Sequence, residues 1–393
     1  MRNPEENRRL EEIYLRARQQ YVPGKQPSRL RRWKRAGESL FSHFPDFWHL
    51  MRLPRKKDQC LIAVHVSGGM GDFLRFNAFL RALADKYPRV FFDVYGASPS
   101  VRFALGALPC VRTVAFERLF PWFSRRYDAV FYCGQITEPV FITHRAPIPE
   151  LKRYAAQWET VRRTYRRFGA LAFNQIAEDA AGKGLNFQEV LGRTAGFEGA
   201  SSAVPLVDLQ GTPNKLKGRR YITFNTGWNK HDVLPPDVKI HVKCWPAPLW
   251  EKFIALFKEK FPDIEPVQLG ESNSPQIAGA DTSLVGRTSL LEATAVLQGA
   301  LLHIDCDCGF THLAHALGVP CVVLFGPSNG RYLNYPENTA VLSPRCGGCW
   351  HMTEMWSNYC PLYKEAACMR SITAQTVLEA ASAQLARKNA AGV

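Results

Sequence analysis

Residues 303–328 read HIDCDCGFTHLAHALGVPCVVLFGPS, and the fold turns on them. LLHIDCD, from Leu301, is a short apolar run that ends in acidic residues. THLAHALG is a short helix closed by Gly318, and CVVLFG is a second apolar run. A strand, a helix and a second strand in so few residues form a βαβ unit, whose strands run parallel. The same pattern extends backwards. YITFNTG (221–227) is a strand, and Pro246 and Pro248 open a helix that buries Leu249, Trp250, Phe253, Ile254 and Phe257. VQLG (267–270) is a strand, and Ser289 with Glu292 forms a capping box before LLEATAVLQGA. Before these, SSAVPLVDLQGTPNKLKGRR (201–220) has the Gly, Pro, Ser and basic composition of a connection.

A second α/β region precedes that connection. LIAVHVSG (61–68) is a strand running into the turn GGMGD, after which Phe73, Phe76, Leu80, Leu83 and Tyr87 recur at helical spacing until Pro88. VFFDVYG (90–96) and AVFYCG (129–134) are further strands. The expected fold class is α/β: two doubly wound, Rossmann-like domains facing a central cleft, a first over 59–215 and a second over 216–393. Residues 1–58 form a basic extension with 15 Lys or Arg against 7 Asp or Glu. Within it RRLEEIYLRARQQY reads as a charged helix, and LFSHFPDFWHLMRLPRKK mixes aromatics with a basic end, as interfacial segments do.

The 393 residues are 46% hydrophobic and 22% charged, which excludes a disordered or fibrous chain. The net charge of +15 favours anionic partners such as nucleotides, phosphorylated sugars, acidic lipid or nucleic acid. No aromatic-basic recognition module is visible, so nucleic acid is not among the expected partners. No apolar run approaches the ~20 residues of a membrane span, and the N-terminus lacks the apolar stretch of a secretion signal. A cytoplasmic protein is expected, its basic extension being either a solvated arm that packs a few aromatics on the body or a peripheral contact with a membrane or an acidic polymer.

Four groups of residues carry candidate chemistry. Gly68, Gly69, Gly71 and Asp72 sit at a strand-to-helix turn, where glycines admit a ligand to the backbone and Asp72 either caps the helix or serves as a general base. As a dinucleotide fingerprint the turn lacks its third glycine, and Asp93 lies inside a strand rather than at its end. Asn225, Thr226 and Gly227 follow a strand, and Lys243, Trp245 and Pro246 precede a helix; together they make an anion cradle for a diphosphate. The segment between them, WNKHDVLPPDVKIHV, is long. Asp305, Asp307, Gly309, Thr311 and His312 lie at the next strand-to-helix turn, where parallel sheets bind ligands. Asp307 suits sugar hydroxyls and the N–H groups at Gly309 to Thr311 suit phosphate; alternatively Asp307 caps the helix and His312 is a satisfied buried histidine. Gly326, Pro327 and Ser328 form the next loop at that edge. Finally, Cys346, Cys349, Cys360 and Cys368 of the 11 cysteines could close an S4 site for structural iron or zinc, or be reduced buried thiols or a disulfide.

SGGMGD, KCWP, GRTSLLE, DCGFTHLAHALGVPCVVLFGPS and the cysteine tail, in this order over residues 60–375, resemble glycosyltransferase family 9, the heptosyltransferases. The resemblance implies a GT-B fold, an ADP-heptose donor on the C-terminal domain and an acceptor, a lipopolysaccharide core or another cell-surface glycan, on the N-terminal one. By position it makes Asp72 the base, and Thr226 and Lys243 the neutralisers of the diphosphate in place of a catalytic metal. Asp307, Gly309 and His312 become donor ligands. The Trp beside CGGC and the CP and CM contexts are similar to the autotransporter heptosyltransferases, which hold iron in such a finger and glycosylate protein serines. The basic extension and the long segment before Lys243 depart from the lipopolysaccharide enzymes. Arg162, Arg163, Arg166 and Arg167, in LKRYAAQWETVRRTYRRFGA, are expected either to meet acidic acceptor groups or to form a solvated helix face. A non-catalytic nucleotide-binding scaffold is the remaining alternative.

Overall fold

The structure is a computed structural model that describes residues 12, 43–54, 58–66, 68–96, 99–133, 137–142, 148–165, 172–190, 204–227, 241–350, 359–360 and 366–390. Of the basic extension, only Glu12 and the part from residue 43 are described. The expected helix over 8–21, apart from Glu12, most of the long segment before Lys243, and Arg166 and Arg167 lie outside the described residues. The chain divides into two compact units. One comprises residues 21–167 and 188–208, the other 1–20, 168–187 and 209–393. Residues 168–187, which precede the connection in sequence, thus group with the C-terminal half.

The N-terminal unit runs α1 (Phe44–Arg52), β1 (Cys60–Val66), α2 (Met70–Lys86), β2 (Val90–Tyr95), α3 (Pro99–Leu105), β3 (Val111–Ala115), a single-turn α4 (Phe120–Phe123), β4 (Ala129–Cys133), β5 (Thr137–Ile142) and α5 (Pro149–Tyr165). Its sheet order is β3-β2-β1-β4-β5. Strand β1 pairs in parallel with both β2 and β4, so that Ile62 lies between Phe92 and Ala129. Strand β5 is antiparallel to β4, an edge the sequence reading did not include. Phe73, Phe76, Leu80 and Leu83 of α2 are all buried, as their spacing predicts, and Tyr87 caps the helix C-terminus. Asp93, mid-strand, is buried in a bidentate pair with Arg112 (2.9 and 2.8 Å) and accepts the Tyr127 hydroxyl at 3.0 Å. That structural role accounts for a carboxylate inside a strand, since a buried charge is tolerated when paired and fully hydrogen-bonded.

The C-terminal unit runs α6 (Ala172–Gly182), β6 (Tyr221–Phe224), α7 (Ala247–Lys260), β7 (Glu265–Gln268), β8 (Thr282–Ser283), α8 (Leu290–Gln298), β9 (His303–Cys306), α9 (Gly309–Ala316), β10 (Cys321–Phe325), α10 (Gly330–Leu333), β11 (Thr339–Leu342), α11 (Ala367–Ser371) and α12 (Ala374–Ala390). The sheet is parallel in the order β11-β10-β9-β6-β7-β8. Counted from β6 this is 3-2-1-4-5-6, the order of a dinucleotide-binding fold. Its direction of winding reverses between β6 and β9. Trp250, Phe253, Ile254 and Phe257 of α7 are fully buried, each worth about 1.5–3 kcal/mol on leaving water. The capping box at Ser289 and Glu292 forms as expected, and Gly318 ends α9 with φ +69°.

Candidate functional site

In an open parallel sheet, ligands bind beyond the carboxyl ends of the strands where the winding reverses. Here that point joins the loops after β6 and β9. Gly227, at φ +75°, is packed so closely that an added Cβ would stand 3.0 Å from Cys306 Cβ. The Trp245 N–H donates to Cys306 Sγ at 3.3 Å, and the Lys243 charge acts on the Cys306 and Cys308 thiols. The three separated segments 225–227, 243–246 and 305–309 therefore lie together, the first two being those that the anion-cradle reading joined and the third the neighbouring strand-to-helix turn.

Several polar groups there have unused capacity. Asn225 Oδ1, Thr226 Oγ1 and Ser328 Oγ are buried and have no hydrogen-bond partner among the described residues. An unpaired buried hydroxyl costs about 1–3 kcal/mol. Asp307 is half-buried and makes no ion pair or hydrogen bond among the described residues. Thr311, in contrast, is occupied. Its hydroxyl bonds the Cys308 carbonyl and accepts the Cys308 N–H at 3.3 Å, capping α9. His312 is buried with Nδ1 2.7 Å from the Tyr335 hydroxyl, and Phe187 packs edge-on against both rings. Gly309 is the first residue of α9, where backbone N–H groups lack helical partners; that of Phe310 is taken by the Cys308 thiol. Gly326 faces the cysteine loop: a Cβ there would strike Met369 and come within 3.0 Å of Cys368 Sγ.

Beneath these loops runs a buried network the sequence reading did not assemble. Thr223 Oγ1 lies 3.0 Å from His303 Nδ1, and His303 Nε2 lies 3.2 Å from Asp305 Oδ2. Asp305 also accepts the Cys308 thiol (2.7 Å) and the Asn225 amide (3.2 Å). Burial and the Asp305 charge push the Cys308 thiol well above its ordinary pKa, so it is a donor rather than a nucleophile. The available signal was alternation: His303 and Asp305 are two polar residues on one face of a strand that is otherwise apolar.

In the N-terminal unit, Gly68 adopts φ +116° and Gly69 is the N-cap of α2. The Gly69 N–H donates to Asp72 Oδ2 at 3.0 Å, and Arg75 pairs with Oδ1. Asp72 therefore caps the helix. Each carboxylate oxygen keeps a further lone pair, so capping does not exhaust its capacity to accept a proton. Gly71 is buried one residue before Asp72. Arg163 is exposed and pairs with Glu159 at 3.0 Å, a solvated contact.

All four tail cysteines are free thiols. Cys346 hydrogen-bonds Cys368, whose thiol this contact, burial and the nearby Cys349 push far up; Cys346 and Cys360 pack on the core that contains Cys368. The donor set suits iron or zinc in kind. Among the described residues, however, no group of three or more His, Cys, Asp or Glu side chains is placed to hold a metal ion. The loop is instead fixed by its backbone: the Gly348 N–H donates to the Gly326 carbonyl (3.2 Å) and the Trp350 N–H to that of Pro327 (2.9 Å).

Comparison with known proteins gives a family match over part of the chain and a likeness of fold. Residues 229–357, a third of the chain, match the model of glycosyltransferase family 9 (heptosyltransferase). The E. coli ADP-heptose lipopolysaccharide heptosyltransferase II structure is 17% identical, with 84% of this chain and 99% of that one covered and a TM-score of 0.50. The iron-containing dodecameric glycosyltransferase TibC of enterotoxigenic E. coli is 18% identical, with 85% and 80% covered and a TM-score of 0.54. TibC in complex with ADP-D-β-D-heptose aligns at 17% identity over 85% and 78%, with a TM-score of 0.55. No curated protein sequence matches. At these identities the likeness to solved structures is one of fold, the GT-B fold. With the matched segment it indicates a glycosyltransferase. The family to which that segment points is family 9.

Proposed function

We propose that the protein is an inverting glycosyltransferase that moves a heptose from ADP-heptose to a hydroxyl of a lipopolysaccharide core or related cell-surface glycan. The observation that carries this reading is the set of unpaired buried polar atoms at Asn225, Thr226 and Ser328, beside Lys243 and Asp307, at the winding reversal of the C-terminal sheet. It is supported by the family match over that region and by the ADP-heptose complex of a protein with the same fold.

In this reading Asp72 takes the proton from the acceptor hydroxyl as its oxygen attacks the anomeric carbon, and the bond to the β-phosphate oxygen breaks with its electron pair leaving on ADP. General-base help of this kind contributes about 100- to 10,000-fold. Lys243, the Thr226 hydroxyl and the N–H groups at Gly309 to Thr311 meet the charge that grows on the diphosphate, being preorganised for it. Asp307 holds sugar hydroxyls, and Gly227 lets the backbone approach the phosphate.

Two finer points belong to the same reading. A structural iron or zinc ion would be held by Cys346, Cys349, Cys360 and Cys368, stiffening the tail loop without entering the reaction; near-stoichiometric metal in purified protein supports it and its absence there removes it. The protein also meets a membrane surface peripherally through its N-terminal extension, where a lipid-linked acceptor would lie.

The test is incubation with ADP-heptose and, separately, UDP- and GDP-sugars, following affinity by calorimetry and nucleotide release with and without EDTA. Preferential binding and EDTA-resistant turnover of ADP-heptose support the reading, and binding of none of them overturns it. Offering truncated lipopolysaccharide core against serine-containing peptide then separates a glycan from a protein acceptor.

A further inference from the structure

Helix α1 carries two apolar faces. The inner face is ordinary: Leu50 is buried, and Phe47 and Leu53 pack on the core built by Leu61, Tyr95, Leu119, Phe123 and Tyr127. The outer face is not. Phe44, Trp48 and Met51, at positions i, i+4 and i+7, are 51%, 45% and 54% exposed, and Trp122 at 43% joins them through Phe47, whose ring meets it edge-on at 6.4 Å. Large aromatics spaced along one solvent-facing stripe are costly unless something covers them.

The helix is held firmly. Arg126 donates to the carbonyls of Leu50 (2.7 Å) and Leu53 (2.9 Å), and Arg112 donates to that of Pro54 (2.8 Å). His43, before the first turn, stacks on Phe116 at 3.9 Å. The stripe is therefore displayed by a fixed helix. Around it the charge is positive. Arg52 lies over the Trp48 ring at 5.5 Å, Arg118 lies over Phe116 at 5.8 Å, and Arg125 is exposed in the turn after α4. Segments 43–54 and 116–126 hold four arginines against Asp46 and Glu117, and the sequence that follows α1 continues Arg55, Lys56, Lys57.

We propose that this face docks on an anionic lipid bilayer, with α1 lying parallel to the surface, its Phe44, Trp48 and Met51 in the headgroup and acyl boundary and its arginines on lipid phosphates. This deepens the membrane part of the proposed function and rests on the glycosyltransferase reading only for what the acceptor is. The chemistry matches an interfacial helix: an apolar stripe with an aromatic anchor, flanked by cations that meet acidic headgroups. It does not match a dimer interface. A nine-residue helix is about 14 Å long, so its outer face offers on the order of 150 Å², far below the ~800 Å² each partner of a stable complex contributes.

The test uses the full-length protein and vesicles of phosphatidylethanolamine with phosphatidylglycerol, against pure phosphatidylcholine. Wild type is expected to cosediment with the anionic vesicles and to lose binding as salt rises, with brominated lipid quenching Trp48. The triple variant Phe44→Ser/Trp48→Ser/Met51→Ser should bind at least about tenfold more weakly, with unchanged melting temperature and ADP affinity. Arg118→Gln/Arg125→Gln, which keeps the apolar stripe, should lose mainly the salt-sensitive part. Equal vesicle binding by wild type and the triple variant overturns the proposal. So does a change in mass by light scattering without vesicle binding, which would make the stripe a self-association surface. Vesicle binding without ADP-heptose turnover would sustain the docking surface and remove the heptosyl-transfer reading instead.

Discussion

Replacing Thr226 by valine separates function from fold at one atom. The Thr226 hydroxyl is buried and has no hydrogen-bond partner among the described residues, so the protein without ligand already bears its desolvation, about 1–3 kcal/mol. Valine keeps the branched shape and removes the polar atom, so the variant should be more stable by about 1 kcal/mol. For a unit of this size that is a rise of about 2–4 °C in melting temperature. If the hydroxyl awaits a phosphate oxygen, the bound state loses a hydrogen bond to a charged group, about 1.5–3 kcal/mol. At 1.4 kcal/mol per tenfold, ADP affinity should fall about 10- to 100-fold. The assay is differential scanning fluorimetry of the ligand-free protein with calorimetric titration of ADP. The opposite signs matter: a residue that serves only the fold cannot gain stability and lose affinity together. A variant that melts lower and binds ADP as wild type does would refute the reasoning and place the hydroxyl with an ordered water.

Asp72→Asn should keep its fold and donor affinity while transfer falls about 100- to 10,000-fold; near-wild-type turnover would leave Asp72 as a cap alone. Asp305→Ala strands His303, Cys308 and the Asn225 amide in the interior and should cost about 3–5 kcal/mol in urea unfolding of the C-terminal unit, whereas a cost under about 1 kcal/mol would mean the network is idle. His65, held against Tyr95 and Phe120, has its pKa lowered by burial from 6.5 to about 4. The unfolded chain then binds the extra proton between those values. Stability is complete above about pH 6.5 and falls as pH drops toward 4, by up to about 3 kcal/mol, and His65→Phe should flatten that slope.

The parts of the fold legible in the sequence were those whose period is set locally. The α2 stripe of Phe73, Phe76, Leu80 and Leu83, the Ser289–Glu292 cap and the Gly318 stop each follow from residues within a few positions of one another. Strands β3, β5, β8 and β11 were not read from the sequence. Thr282–Ser283 is only two residues long and pairs at the sheet edge, so no alternation can mark it. The candidate site was half legible. A cluster of Asn225, Thr226, Lys243 and Asp307 could be suspected from strand-end positions. Whether a side chain there is free or already spent is a tertiary matter: Asp307 makes no hydrogen bond or ion pair among the described residues, whereas Thr311 and His312 are spent on a cap and on Tyr335. The cysteines show the same limit. Their spacing announces four sulfurs, but how closely they approach depends on a loop fixed by Gly326 and Pro327 carbonyls some twenty residues earlier.

The buried network explains why polar residues occupy the middle of an apolar sheet. Strands β6 and β9 are neighbours in register at Thr223 and His303, and both are buried on two faces, where an unsatisfied polar group is expensive. Thr223, His303 and Asp305 meet that cost by pairing only with one another and with the two loops that leave the strands, through the Asn225 amide and the Cys308 thiol. The loop ending in Gly227 and the turn opening α9 are thereby tied to one buried carboxylate rather than to solvent. A satisfied polar network of this kind rigidifies and specifies one arrangement. What it holds in place are the Thr226 hydroxyl and the Asp307 carboxylate, both without a hydrogen-bond partner among the described residues, and the Gly309 N–H at the start of α9. Preorganised donors stabilise developing charge because they need not reorient at the moment of reaction. Thr223, His303 and Asp305 thus satisfy one another within the strands, while Asn225 Oδ1, Thr226 Oγ1 and Ser328 Oγ in the loops beyond them stay unpaired among the described residues, an arrangement that suits the diphosphate of the proposed donor.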